Sequence, residues 1–143
     1  IREAGEYFRY GLNWNDWCNN IRNFPSNFDV SFQWTCSNVS MFYLKDTYTY
    51  MRNEFSNIRF LFENHVTEPY HMSAQNLPIK IKEKIQKDIE FIEMPDFYVN
   101  YMKEKDVWNK QGKIFLKYLH DLDVKRNTNW KNNLSELNLA LCQ

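Results

Sequence analysis

The chain has 143 residues, enough for one domain with a sizeable core, and 17% of them are aromatic. Its 18 basic residues balance 18 acidic ones, and a net charge of zero argues against a general nucleic-acid binder, which relies on a basic surface. Three cysteines without C-x-x-C spacing indicate neither a disulfide framework nor a zinc ribbon, so we expect a cytoplasmic protein. No apolar run approaches the length of a membrane span.

Two short helices are predicted at the start of the chain. The first covers residues 2–10 and stops at Gly11, a residue suited to the left-handed end of a helix. Asn13 is the expected N-cap of the second helix, over residues 14–24. Apolar residues recur at helical spacing on one face of it: Trp14, Trp17, Cys18 and Ile21.

The region from Phe28 to Val66 predicts a βαβ unit. Its first strand alternates an apolar side (Val30, Phe32, Trp34, Cys36) with an uncharged polar side (Ser31, Gln33, Thr35, Ser37). Its second strand carries apolar residues at spacing two: Ile58, Phe60 and Phe62. About twenty intervening residues suffice for one crossover helix, so the strands should be parallel. We expect Ser40 to cap that helix, which buries Phe42, Tyr43, Met51 and Phe55.

Helices dominate the rest of the prediction. An ordered loop is expected over 67–78, then a helix over 79–93 with an isoleucine stripe (Ile81, Ile85, Ile89, Ile92). A short helical turn should cover 96–102, and Asp106 should cap a helix to about Asp123. The last segment should pack Trp130, Leu134 and Leu137 onto the body. The predicted fold is therefore α/β, with two parallel strands and about five helices in one domain: a first half, 1–66, and a helical extension, 67–143.

The polar side of the first strand has two interpretations. In an ordinary half-exposed strand it faces water. Parallel strands are usually covered on both sides, however, so an uncharged polar side can instead line a barrel interior or a ligand cavity. Ligands collect at the carboxyl ends of such strands, which points to Ser37, Asn38, Glu63 and Asn64.

No catalytic signature stands out. Arg9, just before Gly11, is either a solvated helix-end arginine or a fork that holds a carboxylate or phosphate. The three histidines lack paired ligand spacing, and Cys18 and Cys36 lie on predicted core faces, where cysteine usually acts as a small hydrophobe. A free-standing hydrolase would need a nucleophile and base that the sequence does not offer.

Taken in order, five segments resemble the C-terminal half of a radical SAM enzyme with a short SPASM/twitch-like tail. Residues 6–21 resemble the family's segment after the fourth barrel strand, 30–38 its fifth strand and 58–62 its sixth. Residues 68–78 are similar to its Glu-Pro passage before a lysine-rich helix, and 119–130 to its Leu-Asp…Arg-Asn…Trp ending. The likeness spans nearly the whole chain and implies a partial (β/α) barrel fragment.

The resemblance also implies roles for individual residues. Arg9 would approach the carboxylate of S-adenosylmethionine, with Thr35, Ser37 and Asn38 near its ribose or adenine. Glu63 and Asn64 would line the substrate side. The C-x-x-x-C-x-x-C loop that holds the [4Fe-4S] cluster is absent from this sequence, so the cluster would exist only in an intact parent enzyme.

The chain would therefore contribute ligand-lining residues without being catalytic alone. The alternative is a non-catalytic α/β interaction module that binds a partner protein or itself. Two strands leave open sheet edges, so we expect a homo-oligomer or pairing with a missing N-terminal half.

Overall fold

The computed structural model describes residues 2–55 and 58–142 and confirms a pair of parallel strands. Strand β1 (Ser31–Cys36) pairs with β2 (Arg59–His65), and Ser31 lies opposite Arg59. The register shifts after Trp34, which leaves Glu63 of β2 without a direct partner. The predicted α/β class is thus confirmed as a mixed fold with one two-stranded parallel sheet.

The described residues contain nine α-helices rather than about five. They are α1 (Arg2–Phe8), α2 (Trp14–Arg22), α3 (Asn38–Phe42), α4 (Leu44–Glu54), α5 (Ile79–Asp88), α6 (Asp96–Lys103), α7 (Trp108–Arg126), α8 (Trp130–Asn133) and α9 (Ser135–Leu141). A 3-10 turn covers Tyr70–Met72 in the predicted loop. Over 2–55 and 58–142, no helix has the length and apolarity needed to cross a membrane.

The crossover differs from the prediction in its cap and in its number of helices. Ser37, not Ser40, is the N-cap, because its Oγ accepts from the backbone N–H of Ser40 at 3.1 Å. The Ser40 hydroxyl accepts in return from the backbone N–H of Ser37 at 2.7 Å, which completes a capping box. The crossover then breaks at Tyr43, whose carbonyl accepts from the Thr47 hydroxyl, and α3 and α4 replace the single helix.

Other helix ends also move. The isoleucine stripe is buried as predicted, but α5 ends at Asp88, and Ile89 and Ile92 continue the buried side in turns. Val107 rather than Asp106 precedes α7, which extends past Asp123. Its end is fixed by Asn127, which adopts the left-handed conformation at φ 51°.

Buried side chains form three clusters. The largest joins the apolar side of the sheet to α3–α6, and a second joins α1 to α7–α9. The third packs α2 against α4 and the start of β2. The predicted C-terminal anchors are confirmed, because all belong to the second cluster and are buried: Trp130, Leu134 and Leu137.

The other side of the sheet is open to solvent. Ser31, Gln33 and Thr35 are exposed, and none of the described core clusters includes them or Leu61 of β2. In the described part of the chain this polar side is not enclosed, because the helices that form the clusters pack against the apolar side. Of this polar side, Gln33, Thr35 and Ser37 border a cavity.

Candidate functional site

A cavity of about 350 Å³ lies between the α1–α2 corner, β1 and the beginning of α3. Its volume falls within the range of roughly 300–1,000 Å³ that is usual for small-molecule sites. It reaches the carboxyl end of β1, where ligands bind in parallel α/β folds. The location and size both suit a small organic ligand.

Aromatic rings form much of its wall: Phe8, Trp14, Trp17, Phe32, Trp34 and Tyr43. The ring centroids of Trp17 and Phe32 are 5.8 Å apart, and those of Phe32 and Trp34 are 5.7 Å apart. These rings come from α2 and from the apolar side of β1, so one wall of the cavity is rigid secondary structure. Such a wall offers flat, polarizable surface to a planar ring.

Polar side chains form the remaining lining: Arg9, Gln33, Thr35, Ser37, Ser40 and Thr47. Arginine supplies the single formal charge among the lining residues, which include no carboxylate. The lining therefore favours a ligand that carries an anionic group along with hydroxyl or amide groups.

Arg9 is positioned by the turn that ends α1. The carbonyl of Arg9 accepts from the Leu12 N–H at 2.8 Å, and Gly11 adopts φ 85° to close the turn. The Arg9 side chain is exposed, and none of the hydrogen bonds formed by the described side chains uses its guanidinium. A cation at the cavity rim is thus open to a ligand carboxylate or phosphate.

Two residues of the wall, Tyr43 and Trp34, carry buried polar groups. Burial raises the pKa of Tyr43 to about 12, so its phenol is neutral at physiological pH. Trp34 is 6% exposed, and its indole N–H has no acceptor among the described residues. Neither residue adds a negative charge to the wall at physiological pH.

Three of the six predicted site residues meet in this cavity: Arg9, Thr35 and Ser37 line it. Asn38 does not, because it begins α3 and is fully buried. Its amide donates to the His71 carbonyl at 3.0 Å and its oxygen accepts from the Val39 N–H. The Asn38 side chain thus ties α3 to the loop after β2.

Glu63 and Asn64 are exposed on β2 and do not line the cavity. The Gln33 amide donates to the Glu63 carboxylate across the open side of the sheet. Gln33 also borders the cavity, so this bond connects Glu63 to a residue of the cavity lining.

A second hollow, of about 370 Å³, lies at the end of α7 and is bordered by His120, Asp123 and Thr128. Its carboxylate is already engaged, because Asp123 accepts from Tyr7, Thr128 and the Trp130 N–H. The Asp123 carboxylate therefore has a structural role. The first cavity remains the candidate site.

The residues present do not fit an iron–sulfur cluster. Cys18 and Cys36 are buried in different core clusters, and Cys142 lies at the far end of the chain. The part of the chain that the structure describes contains no group of three potential metal ligands. The cavity lining instead supplies one guanidinium, several hydroxyls and an aromatic wall.

The aromatic wall was not predicted from the sequence. Trp17, Phe32 and Trp34 have the helix and strand periods of core residues, and periodicity alone cannot tell a core contact from a cavity wall. The two tryptophans that follow Arg9 most closely, Trp14 and Trp17, are the one signal that could have suggested a site.

The geometry defines an α/β domain with a ligand-sized, aromatic cavity and one arginine at its rim. Comparisons with protein-family models, with curated proteins and with solved structures give no match to this chain.

Proposed function

We propose that this chain is the C-terminal portion of a radical S-adenosylmethionine enzyme and binds that cofactor without being catalytic alone. One observation carries the proposal: Arg9 lies in a different segment of the chain from Thr35 and Ser37, yet all three residues line one cavity. The family resemblance assigns the same three residues to the cofactor. The volume of the cavity and its aromatic wall also support the proposal.

In this arrangement each part of the lining has a role. The Arg9 guanidinium holds the cofactor carboxylate, and the hydroxyls of Thr35 and Ser37 contact the ribose. The Trp17, Phe32 and Trp34 wall contacts the adenine and excludes water from it. In an intact parent enzyme, the bound cofactor would supply radical chemistry, and a [4Fe-4S] cluster held by residues outside this chain would be the electron donor.

Calorimetry tests the proposal on the chain itself. S-adenosylmethionine should bind to the wild type, and Arg9→Ala should weaken binding by about tenfold or more, because a charge-assisted hydrogen bond contributes roughly 1.5–3 kcal/mol. Arg2→Ala is the matched control, since Arg2 is an exposed arginine of α1 outside the cavity. Its affinity should equal that of the wild type.

A second ligand makes the assignment of Arg9 specific. 5′-Methylthioadenosine keeps the base and ribose but lacks the carboxylate. Arg9→Ala should therefore leave its affinity unchanged. Equal losses for both ligands would contradict the proposed carboxylate contact.

The second candidate is a non-catalytic interaction module. The observation that favours it is the open polar side of the sheet, where Ser31, Gln33 and Thr35 are exposed. A wild-type chain that gives no heat at millimolar S-adenosylmethionine would support this module and contradict the enzyme proposal.

A further inference from the structure

The outer edge of β2 offers unpaired backbone groups. The Arg59 N–H donates to the Val30 carbonyl at 3.2 Å, so the backbone groups of Arg59 and of Leu61 point toward β1. Those of Phe60 and Phe62 then point to the opposite edge, because direction alternates along a strand. Among the described residues, no bond outside the strand ladder reaches them. Such an edge is a template for another strand.

Two copies of β2 are complementary in sequence when they pair antiparallel with the two-fold axis at Leu61. Arg59 then lies opposite Glu63 of a second copy, and Glu63 opposite its Arg59. Phe60 lies opposite Phe62, and Leu61 opposite Leu61. Opposite charges and aromatic pairs at directly facing positions both stabilise antiparallel strands.

The backbone directions agree with this register. Phe60 and Phe62 point outward, so each exchanges both hydrogen bonds with its counterpart in the copy. Arg59, Leu61 and Glu63 occupy the positions between bonds, where facing side chains approach most closely. Shifting the two-fold axis to Phe60 would set Arg59 against Leu61, and shifting it to Phe62 would set Arg59 against His65. Only the axis at Leu61 pairs Arg59 with an acid.

Charge and burial favour β2 over the free edge of β1. β1 has no charged residue, and the carbonyl of Thr35 already accepts from the Ser40 hydroxyl at 2.7 Å. On β2, Arg59 and Glu63 are exposed. Their present contacts, to Asp29 and Gln33, are surface contacts that contribute little and can be shared or exchanged.

We propose that two copies of this chain associate through antiparallel pairing of their β2 edges about Leu61, which forms a continuous four-stranded sheet. Because the contact has two-fold symmetry, each copy uses the same edge, and the product is a dimer rather than a fibre. Arg59 and Glu63 determine the register and the partner. This inference goes beyond cofactor binding and stands or fails separately from it.

Sedimentation equilibrium on the whole chain tests the pairing. The wild type should show a concentration-dependent monomer–dimer equilibrium. Arg59→Glu alone, and Glu63→Arg alone, should each weaken dimerisation by about tenfold or more, because each places like charges opposite each other twice. The double variant, Arg59→Glu with Glu63→Arg, restores opposite charges and should return to within about threefold of the wild type.

Glu136→Arg is the control for charge reversal as such, because Glu136 is exposed on α9. It should leave the dimer unchanged, and circular dichroism should show that every variant is folded. A wild type that stays monomeric up to about 1 mM, a dimer that tolerates both single reversals, or a double variant that does not recover would each overturn the proposal. S-adenosylmethionine calorimetry on the same variants reports the other proposal independently.

Discussion

Asp123 joins three segments of the chain through one carboxylate. One oxygen accepts from the hydroxyls of Tyr7 and Thr128, both at 3.0 Å, and the other from the Trp130 N–H at 2.9 Å. Nearby, Arg126 donates to the Tyr7 carbonyl at 2.6 Å. These bonds hold α1 and α8 against the end of α7, and α1 in turn carries the segment that positions Arg9.

Replacing Asp123 with alanine should lower the free energy of unfolding by about 2–4 kcal/mol. A hydrogen bond to a charged group contributes roughly 1.5–3 kcal/mol, but the three contributions do not add in full, because Thr128 is exposed and the Tyr7 hydroxyl keeps its bond to the Leu119 carbonyl. Asp121→Ala is the control on the same helix. Its carboxylate has a surface pair with Lys117, which contributes about 0–1 kcal/mol. Urea denaturation measures both, and equal losses would contradict the account.

Cys36 gives the stability a dependence on alkaline pH. Burial raises the pKa of its thiol from 9.0 to about 12, because the thiolate would lose its hydration in the core. The unfolded chain loses this proton near pH 9 while the folded chain keeps it. The stabilisation is therefore complete below pH 9 and is lost as the pH rises from 9 to 12, at about 1.4 kcal/mol per pH unit.

Cys36→Ala should remove this slope, whereas Cys142→Ala should keep it, because Cys142 is exposed. The buried tyrosines Tyr7 and Tyr43, whose pKa values burial also raises, add the same slope to every variant. Urea denaturation at pH 8, 9, 10 and 11 measures the difference. If the free energy of unfolding falls with pH equally in the wild type and in Cys36→Ala, the thiol is hydrated in the folded chain and the explanation is wrong.

At the scale of elements, side-chain periodicity predicted which faces are buried but not where helices end. The isoleucine stripe of α5 is buried as expected, although the helix stops five residues before Glu93. Periodicity reports a buried direction, and residues in turns can continue it. The start of α3 was misplaced because its capping box has Ser40 at the third helical position, where Glu or Gln gives the usual signature.

Gly112 in α7 shows how packing can override helix propensity. A Cβ at this position would lie 2.8 Å from the ring of Trp108, one turn earlier on the helix. Gly112→Ala gains up to about 1 kcal/mol in propensity, but it forces the bulky ring to move, at a cost of about 1–3 kcal/mol. We expect a net loss of stability of about 1 kcal/mol.

A double-mutant cycle separates the two effects of Gly112→Ala. In a Trp108→Ala background the ring is absent, so Gly112→Ala should stabilise the chain. Lys113→Ala, at the neighbouring exposed position, is the control and should change stability by less than about 0.5 kcal/mol. A destabilisation that persists without the Trp108 ring would disprove the steric explanation.

At the scale of the whole molecule, local patterns predicted the site only in part. Strand alternation and the glycine after Tyr10 identified Thr35, Ser37 and Arg9, and the three line one cavity. Asn38 lies outside the cavity because its buried side chain bonds the His71 carbonyl. Glu63 lies outside because it is on β2, whereas the strand residues that line the cavity are on β1. The cavity itself depends on how α1 and α2 pack near β1, and no local pattern encodes that packing.

The central claim is that this cavity binds S-adenosylmethionine, and an NMR titration locates the ligand most directly. With ¹⁵N-labelled chain, the account predicts saturable shifts of the backbone amides of Arg9, Thr35 and Ser37 and of the indole N–H signals of Trp17 and Trp34. The signals of Lys131, beside the second hollow, should stay in place. No shift at millimolar cofactor, or shifts confined to residues outside the cavity, would contradict the claim.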